Sequence, residues 1–343
     1  MASWMRREAE EAPGVVERLL RENEGEVRGL AAFLKRRPPA LVLTVARGSS
    51  DHAALYAKYL LEARRRWPVL SLAPSVLTLY RARLLLPYPA LLLAYSQSGE
   101  SPDVVETVRA YREAGVLTLA LVNREESPLA QAAEVVLPLY AGEEKAVAAT
   151  KSVLAMMAAT AQLLAHLEEG LALREALLAL PEALAQALAA EGGWDYLVGV
   201  EHLFVLGRGL VYPAALEAAL KLKETAGLHA EGLSLAEFLH GPQALLEEGF
   251  PVLALVQKDE ALEASLRVLE GLKAKGAHLL VLSPEPDALA LAHDPLRLPV
   301  ASAPELTPLL LLQAFYPMAE ALARARGLDP DRPRHLAKVT RTR

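Results

Sequence analysis

Short apolar runs alternate along the chain with longer stretches in which apolar residues recur every three or four positions. The clearest runs fall at 41–46, 91–95, 117–122 and 135–139, and they are apolar at consecutive positions rather than at alternate ones. A strand apolar on both faces is one covered on both faces, as in a parallel sheet. Between the runs lie "SDHAALYAKYLLEARRR" and "PDVVETVRAYREAG", whose apolar residues fall at helical spacing. Strands alternating with helices predict a parallel sheet with helices on both sides. The segment up to Pro39, ending in "KRRPP", reads as a charged helical lead-in.

The pattern occurs twice. Arg47-Gly48 after "LVLTVA" returns as Arg208-Gly209 after "LFVLG", 161 residues later. Gly115 and Gly276 share that offset, as do Pro138 and Pro299, while Pro89 and Pro251 are 162 apart. Near-constant spacing over such a length marks two copies of one supersecondary unit. The expected architecture is therefore α/β: two doubly wound parallel-sheet domains in tandem. The lead-in covers 1–39, the first domain 40–175, the second 195–325, and a tail 326–343. The joint is expected near 170–195, where an Ala/Leu/Glu-rich helix ends at Gly192-Gly193.

Composition narrows the chemistry. A chain of 343 residues suits two domains, and 53% apolar residues suffice to fill two cores. With no cysteine, disulfides, thiolate metal sites and a cysteine nucleophile are excluded. A formal charge of −6 gives no reason to expect nucleic acid as a partner. The opening "MASWMRREAEEAPG" has no apolar leader core. "LTPLLLLQAFYPMAEALA" is interrupted by Pro308, Gln313, Pro317 and Glu320, so it reads as a buried helix rather than a membrane span. A soluble cytoplasmic protein is expected. No metal-ligand spacing such as HxxxH or HExxH occurs, and no cofactor is called for.

The densest hydroxyl cluster, Ser96, Gln97, Ser98, Gly99, Glu100 and Ser101, follows the run 91–95. Ligands of open parallel sheets bind beyond the carboxyl ends of strands. Pro102 suits a first helical turn with Ser101 as its N-cap. Free amides and hydroxyls there would form a neutral cradle for a phosphate dianion, with Gly99 letting the backbone come close. Ser49 and Ser50 hold the equivalent place after the first run. Serines and glycines also make ordinary caps and turns. The repeat argues otherwise, because the second copy has "VQKDEAL" where the first has "YSQSGES". In "GEEKAVAATKS", Thr150 and Lys151 stand within reach of a ligand; alone, the stretch reads as a helix start with a surface lysine.

Glu217, Lys221 and Glu224 share one face of a helix rich in Ala and Leu. Burial there would raise the pKa of Glu224 and suit it to proton transfer; exposure would make the trio a minor stabilising pair. His240 precedes Gly241-Pro242, which end a helix, and is either a proton-transfer group or a cap. Lys338, in "LAKV" within a basic tail, has apolar neighbours that favour docking, and a docked lysine can form a Schiff base with a ketose carbonyl.

In order, "SQSGES", "VAATKS", "ALEAALKLKE", "EFLHGP" and "PRHLAKV" resemble the isomerase half of glucosamine-6-phosphate synthase, which consists of two sugar-isomerase (SIS) domains. The likeness spans nearly the whole chain. It implies aldose–ketose isomerisation of a hexose 6-phosphate with an amino group at C2. By match, Ser49, Ser50, Ser96, Gln97, Ser98 and Ser101 hold phosphate and sugar, with backbone contacts from Val147 and Ala337. Glu224 moves the proton between C1 and C2, His240 assists ring opening from the neighbouring subunit of a homodimer, and Lys338 holds the open-chain ketose. Glu217, Lys221 and Thr150 support them.

Two departures matter. The glutaminase domain of the synthases and its cysteine are absent, so release of ammonia from glutamine by that route is not expected. Ala149 stands where synthases commonly have a sugar-contacting serine. The resemblance thus implies conversion of glucosamine 6-phosphate to fructose 6-phosphate and ammonia, or the reverse. Alternatives are deglycation of a fructosamine 6-phosphate, the isomerase subunit of a split synthase, and a non-catalytic sugar-phosphate sensor. A sensor needs the serines but not Glu224, His240 and Lys338.

Overall fold

The computed structural model of the chain describes residues 2–190 and 194–338. The expected joint at Gly192-Gly193 and the end of the tail lie outside the described residues. Two helices, α1 (Trp4–Glu22) and α2 (Glu24–Arg36), form the lead-in. The first sheet contains β1 (Leu41–Val45), β2 (Val69–Ser71), β3 (Ala90–Ser96), β4 (Leu117–Val122) and β5 (Val135–Pro138). Its spatial order is β2-β1-β3-β4-β5 and every pairing is parallel. Helices α3 (Ser49–Arg65), α4 (Pro74–Thr78), α5 (Pro102–Glu113) and α6 (Pro128–Ala132) connect its strands, followed by α7 (Lys151–Leu167) and α8 (Ala172–Ala187).

The second sheet contains β6 (His202–Gly207), β7 (His229–Ser234), β8 (Pro251–Leu255), β9 (His278–Ser283) and β10 (Asp294–Arg297). Its order, β10-β9-β8-β6-β7, is the same winding repeated, again all parallel. It carries α9 (Asp195–Val198), α10 (Tyr212–Lys221), α11 (Leu235–Phe238), α12 (Leu262–Ala274), α13 (Pro286–Leu291) and α14 (Thr307–Ala325). Two compact units result. The first holds Gly14–Glu144, Lys151–Leu178 and the chain from Ala337; the second holds the chain up to Pro13, Lys145–Thr150 and Ala179–Leu336.

The expected α/β class and doubly wound sheets are present, and the reason is burial. Leu43, Leu92, Ala94, Ala120 and Val122 fill the core of the first unit; Phe204, Leu206, Val252, Leu279 and Val281 fill that of the second. Each large apolar side chain so buried contributes about 1.5–3 kcal/mol. No apolar run marks β2, because it has only three residues and two of them are exposed. Gly115 and Gly276 both have positive φ, 82° and 87°, and each directs its chain into the fourth strand of its sheet. Pro138 closes β5, whereas Pro299 lies beyond β10, so the repeat slips at its end.

Among the described residues, one segment, Pro304–Ala325, is long and apolar enough to cross a membrane, and it is almost wholly buried in the protein. It contains α14, which packs on α10.

Candidate functional site

In the first unit the winding reverses between β1 and β3, which lie side by side with Leu41 to Val45 paired against Ala90 to Ala94. At such a reversal the loops that follow the two strands leave toward opposite faces and open a crevice. Both hydroxyl loops start there. Ser49 and Ser50 open the 17-residue α3, whose first-turn amides have no intrahelical acceptor. Ser96 ends β3, and Ser101 precedes Pro102, the first residue of α5.

Inside the turn, Ser96 Oγ accepts from the Gly99 amide at 2.9 Å and Ser98 Oγ from the Glu100 amide at 3.2 Å. Both hydroxyls serve as acceptors here, which leaves their protons available for donation. Gln97 is half-buried. Ser101 occupies the cap position, but its hydroxyl makes no cap bond; the expected side-chain cap is absent. Gly99 has φ 68°, and a Cβ there would lie 2.2 Å from Ser127 Oγ. Glycine is therefore required by the turn and by Ser127, which is a different reason from close approach of a ligand.

The cluster also contains two acids that would repel a phosphate. Asp103, buried in the first turn of α5, accepts Arg47 Nε at 2.9 Å and Nη2 at 2.6 Å. Glu100 accepts from Arg124 Nη1 at 2.8 Å. Each pair is neutral overall, so the field at the turn is set by hydroxyls and amides. Sequence reasoning used Arg47 only as a landmark and missed this role. The available signal was an acid directly after Pro102, facing an arginine one strand away.

The stretch before α7 holds a second polar group. Glu144 is fully buried, and accepts Ser152 Oγ at 2.8 Å, the Ser152 amide at 3.2 Å and Lys338 Nζ at 3.1 Å. Lys338 is thus docked, as its apolar neighbours suggested, but onto a carboxylate that the sequence reading did not single out. Lys151 is buried rather than at the surface, with Nζ donating to the Glu143 carbonyl at 2.6 Å. Thr150 is fully buried. In the second unit the Val147 amide donates to the Asp331 carbonyl at 3.4 Å, so this amide is already engaged. Ala337 is exposed.

Glu217, Lys221 and Glu224 meet as their spacing predicted. Lys221 Nζ lies 3.6 Å from Glu217 Oε1 and is bonded directly to Glu224 Oε2. Glu217 and Lys221 are buried, but Glu224 retains 20% of its side-chain exposure. Full burial of Glu224 was the premise for a raised pKa, and that premise does not hold. The reason is local: α10 ends at Lys221, and Leu222–Ala226 form one π-helical turn that stops at Gly227, φ 63°. Such turns within helices often occur at functional sites. The turn brings Glu224 to the wall of an open cavity of about 880 Å³ in this unit. His240 is exposed after α11 and is not among the lining residues of that cavity.

The second unit's own reversal point, between β6 and β8, is built differently. Gln257 Nε2 donates to Asp259 Oδ2 at 2.7 Å, and Asp259 Oδ1 accepts the Ala261 amide at 2.8 Å. Side chains of the loop itself close this turn, and no hydroxyl cluster is present. Among the described residues no group of three or more His, Asp or Glu could hold a metal ion.

The family model described as the SIS domain matches residues 40–166 and 196–316. A glutamine–fructose-6-phosphate aminotransferase (isomerizing) from Thermus thermophilus is 36% identical over 98% of this chain, which spans 58% of that protein's length. A crystal structure provisionally described as a phosphosugar isomerase, from Silicibacter pomeroyi DSS-3, is 42% identical with a TM-score of 0.88, covering 96% of this chain and 100% of that one. The C-terminal domain of glucosamine-fructose-6-phosphate aminotransferase from Francisella tularensis is 26% identical with a TM-score of 0.83, covering 97% and 99%.

Proposed function

Because this chain belongs to the SIS domain family, we propose that it isomerises an amino-hexose 6-phosphate and releases its amine. The simplest such reaction takes glucosamine 6-phosphate and water to fructose 6-phosphate and ammonia, or runs in reverse. The observation that carries the reading is Glu224: a carboxylate open to a cavity, yet fixed by a lysine that is itself buried against a second carboxylate. Such a group is rigid, accessible and able to carry one proton between adjacent carbons.

The roles divide as follows. Ser49, Ser50, Ser96, Gln97, Ser98 and Ser101 hold the phosphate and the adjoining hydroxyls through donors without net charge. Thr150 and the backbone at Val147 and Ala337 support the sugar; at Val147 the carbonyl is the freer group, because the amide already donates. His240, exposed beside Gly241, assists ring opening and is assigned to the partner copy of a homodimer. Glu224 takes the proton from C2 of the open-chain aldose and returns it to C1. The nitrogen at C2 becomes an imine, water adds to that carbon, and the C–N bond breaks with departure of ammonia. Lys338 engages the ketose carbonyl; as an amine nucleophile it must first lose a proton, and the buried Glu144 carboxylate bonded to it is an acceptor in place.

Similarity to the aminotransferase from Thermus thermophilus and to the Silicibacter pomeroyi structure supports this reading over that of a passive sensor. Incubation with glucosamine 6-phosphate, and separately with a fructosamine 6-phosphate, should release an amine and a hexose 6-phosphate from at least one. If both compounds stay intact at stoichiometric protein, the reading is wrong.

A further inference from the structure

Arg47 stands just beyond β1, two residues before Ser49 opens α3, and Asp103 lies two residues after Ser101, in the first turn of α5. Their ion pair therefore joins the two loops that carry the hydroxyls, across the crevice between β1 and β3. Arg47 Nε and Nη2 both meet Asp103 Oδ2, while Oδ1 accepts the Val104 amide at 2.8 Å. The acid is 2% exposed and the arginine 47%. Asp51, in the first turn of α3, also lies in the field of Arg47: burial pushes its carboxyl up, and His52 and Arg47 pull it down. The other acid of the turn, Glu100, pairs with Arg124 where water reaches both side chains and screens their charges. Asp103 has no such screen, so its effect on the crevice is set by Arg47. In the second copy Arg208 repeats Arg47, again between a strand and a helix. Among the described residues Arg208 enters no ion pair, so the winding itself does not require the bridge.

We propose that Arg47 and Asp103 form a charge lock that sets how strongly the crevice of the first unit prefers a dianion to a monoanion. The proposal rests on the serine turn being the phosphate site. Asp103 keeps the guanidinium to itself, so the ligand meets donors without net charge. The guanidinium in turn cancels a buried negative charge two residues from Ser101. Each acts on the ligand through the other, as a positioning residue, and loss of either shifts the local field in the opposite direction from loss of its partner.

A neutral cradle suits an enzyme whose substrate and product are both sugar phosphates. A free guanidinium would bind the two equally, slow their release and give the transition state no advantage. Without the guanidinium, the carboxylate would repel the phosphate from beneath the turn. The lock avoids both.

The test uses the full chain and two ligands of one shape, fructose 6-phosphate and fructose 6-sulfate, which at about pH 8 are a dianion and a monoanion. Calorimetry gives the ratio of their affinities. Asp103→Asn keeps an oxygen for the Val104 amide and frees the guanidinium; it should raise the phosphate-to-sulfate ratio about fivefold. Arg47→Met should lower the ratio by about the same factor, and Arg47→Lys should stay within about twofold of the wild type. Arg47→Met combined with Asp103→Asn should return it close to the wild-type value. Thermal unfolding checks each variant. Damage to the fold weakens both ligands alike and cannot imitate a rise in the ratio, so Asp103→Asn decides even where Arg47→Met melts. An unchanged or lowered ratio in Asp103→Asn overturns the lock, as does a folded double variant no closer to the wild type than Asp103→Asn alone. Ser98→Ala with Ser101→Ala separates the lock from the reading beneath it. If that variant weakens fructose 6-phosphate while the lock variants leave the ratio alone, the cradle stands and the lock falls. If it binds fructose 6-phosphate as the wild type does, or the wild type binds neither ligand, both fall.

Discussion

The reversal point between β1 and β3 and its counterpart between β6 and β8 have the same winding and the same parallel neighbours, yet opposite chemistry. In the first, hydroxyls organise a turn while keeping their protons, and the nearby acids are each cancelled by an arginine. In the second, Gln257 and Asp259 satisfy each other and the adjacent backbone. The winding provides a crevice wherever it occurs. Whether the crevice binds anything depends on whether the loop's polar groups are consumed internally. The chemistry proposed for the second unit lies elsewhere, at the π-helical turn after α10, where a buried lysine holds an accessible glutamate.

Four variants probe that division, in decreasing order of expected effect. Glu224→Gln should lower turnover by about 10³-fold, within the usual range for loss of a general base. Sugar-phosphate affinity, read by calorimetry, should stay nearly the same; unchanged turnover removes Glu224 from its role. Lys221→Met leaves buried Glu217 without its cation and should cost about 3–5 kcal/mol in denaturant unfolding. A loss below about 1 kcal/mol would show that the trio is not held by the lysine.

Ser98→Ala with Ser101→Ala should weaken phosphorylated sugars by about 10-fold or more, from two lost hydrogen bonds, with little change in melting temperature. Equal loss for unphosphorylated sugars would move the phosphate away from this turn. The smallest effect belongs to the other reversal point. Asp259→Ala should cost about 1–2 kcal/mol of stability through two lost hydrogen bonds and leave sugar-phosphate affinity unaltered. A drop in affinity from that change would erase the contrast between the two loops.

Much of the fold was legible because burial imposes period and spacing on the residues themselves. Consecutive apolar positions marked β3 and β4, and the positive-φ glycines Gly115 and Gly276 recur because each sheet needs the same turn before its fourth strand. The three-residue β2 escaped because two of its positions face out and leave no pattern. The grouping of Glu217, Lys221 and Glu224 could be read from helical spacing. The exposure of Glu224 could not, since it depends on a π-helical turn that spacing does not announce.

The sequence by itself determined where the long buried strands and their connecting helices fall, that the unit is repeated, and that only one copy carries a hydroxyl turn. Those properties are local, or they repeat along the chain. Tertiary structure alone decided that Arg47 cancels Asp103, that Glu144 receives Lys338 across 194 residues, and that the chain after α14 brings arginines to the cavity of Glu224. Each depends on where distant segments come to rest in space, and a charge's effect is set by its neighbours there rather than by its neighbours in the chain.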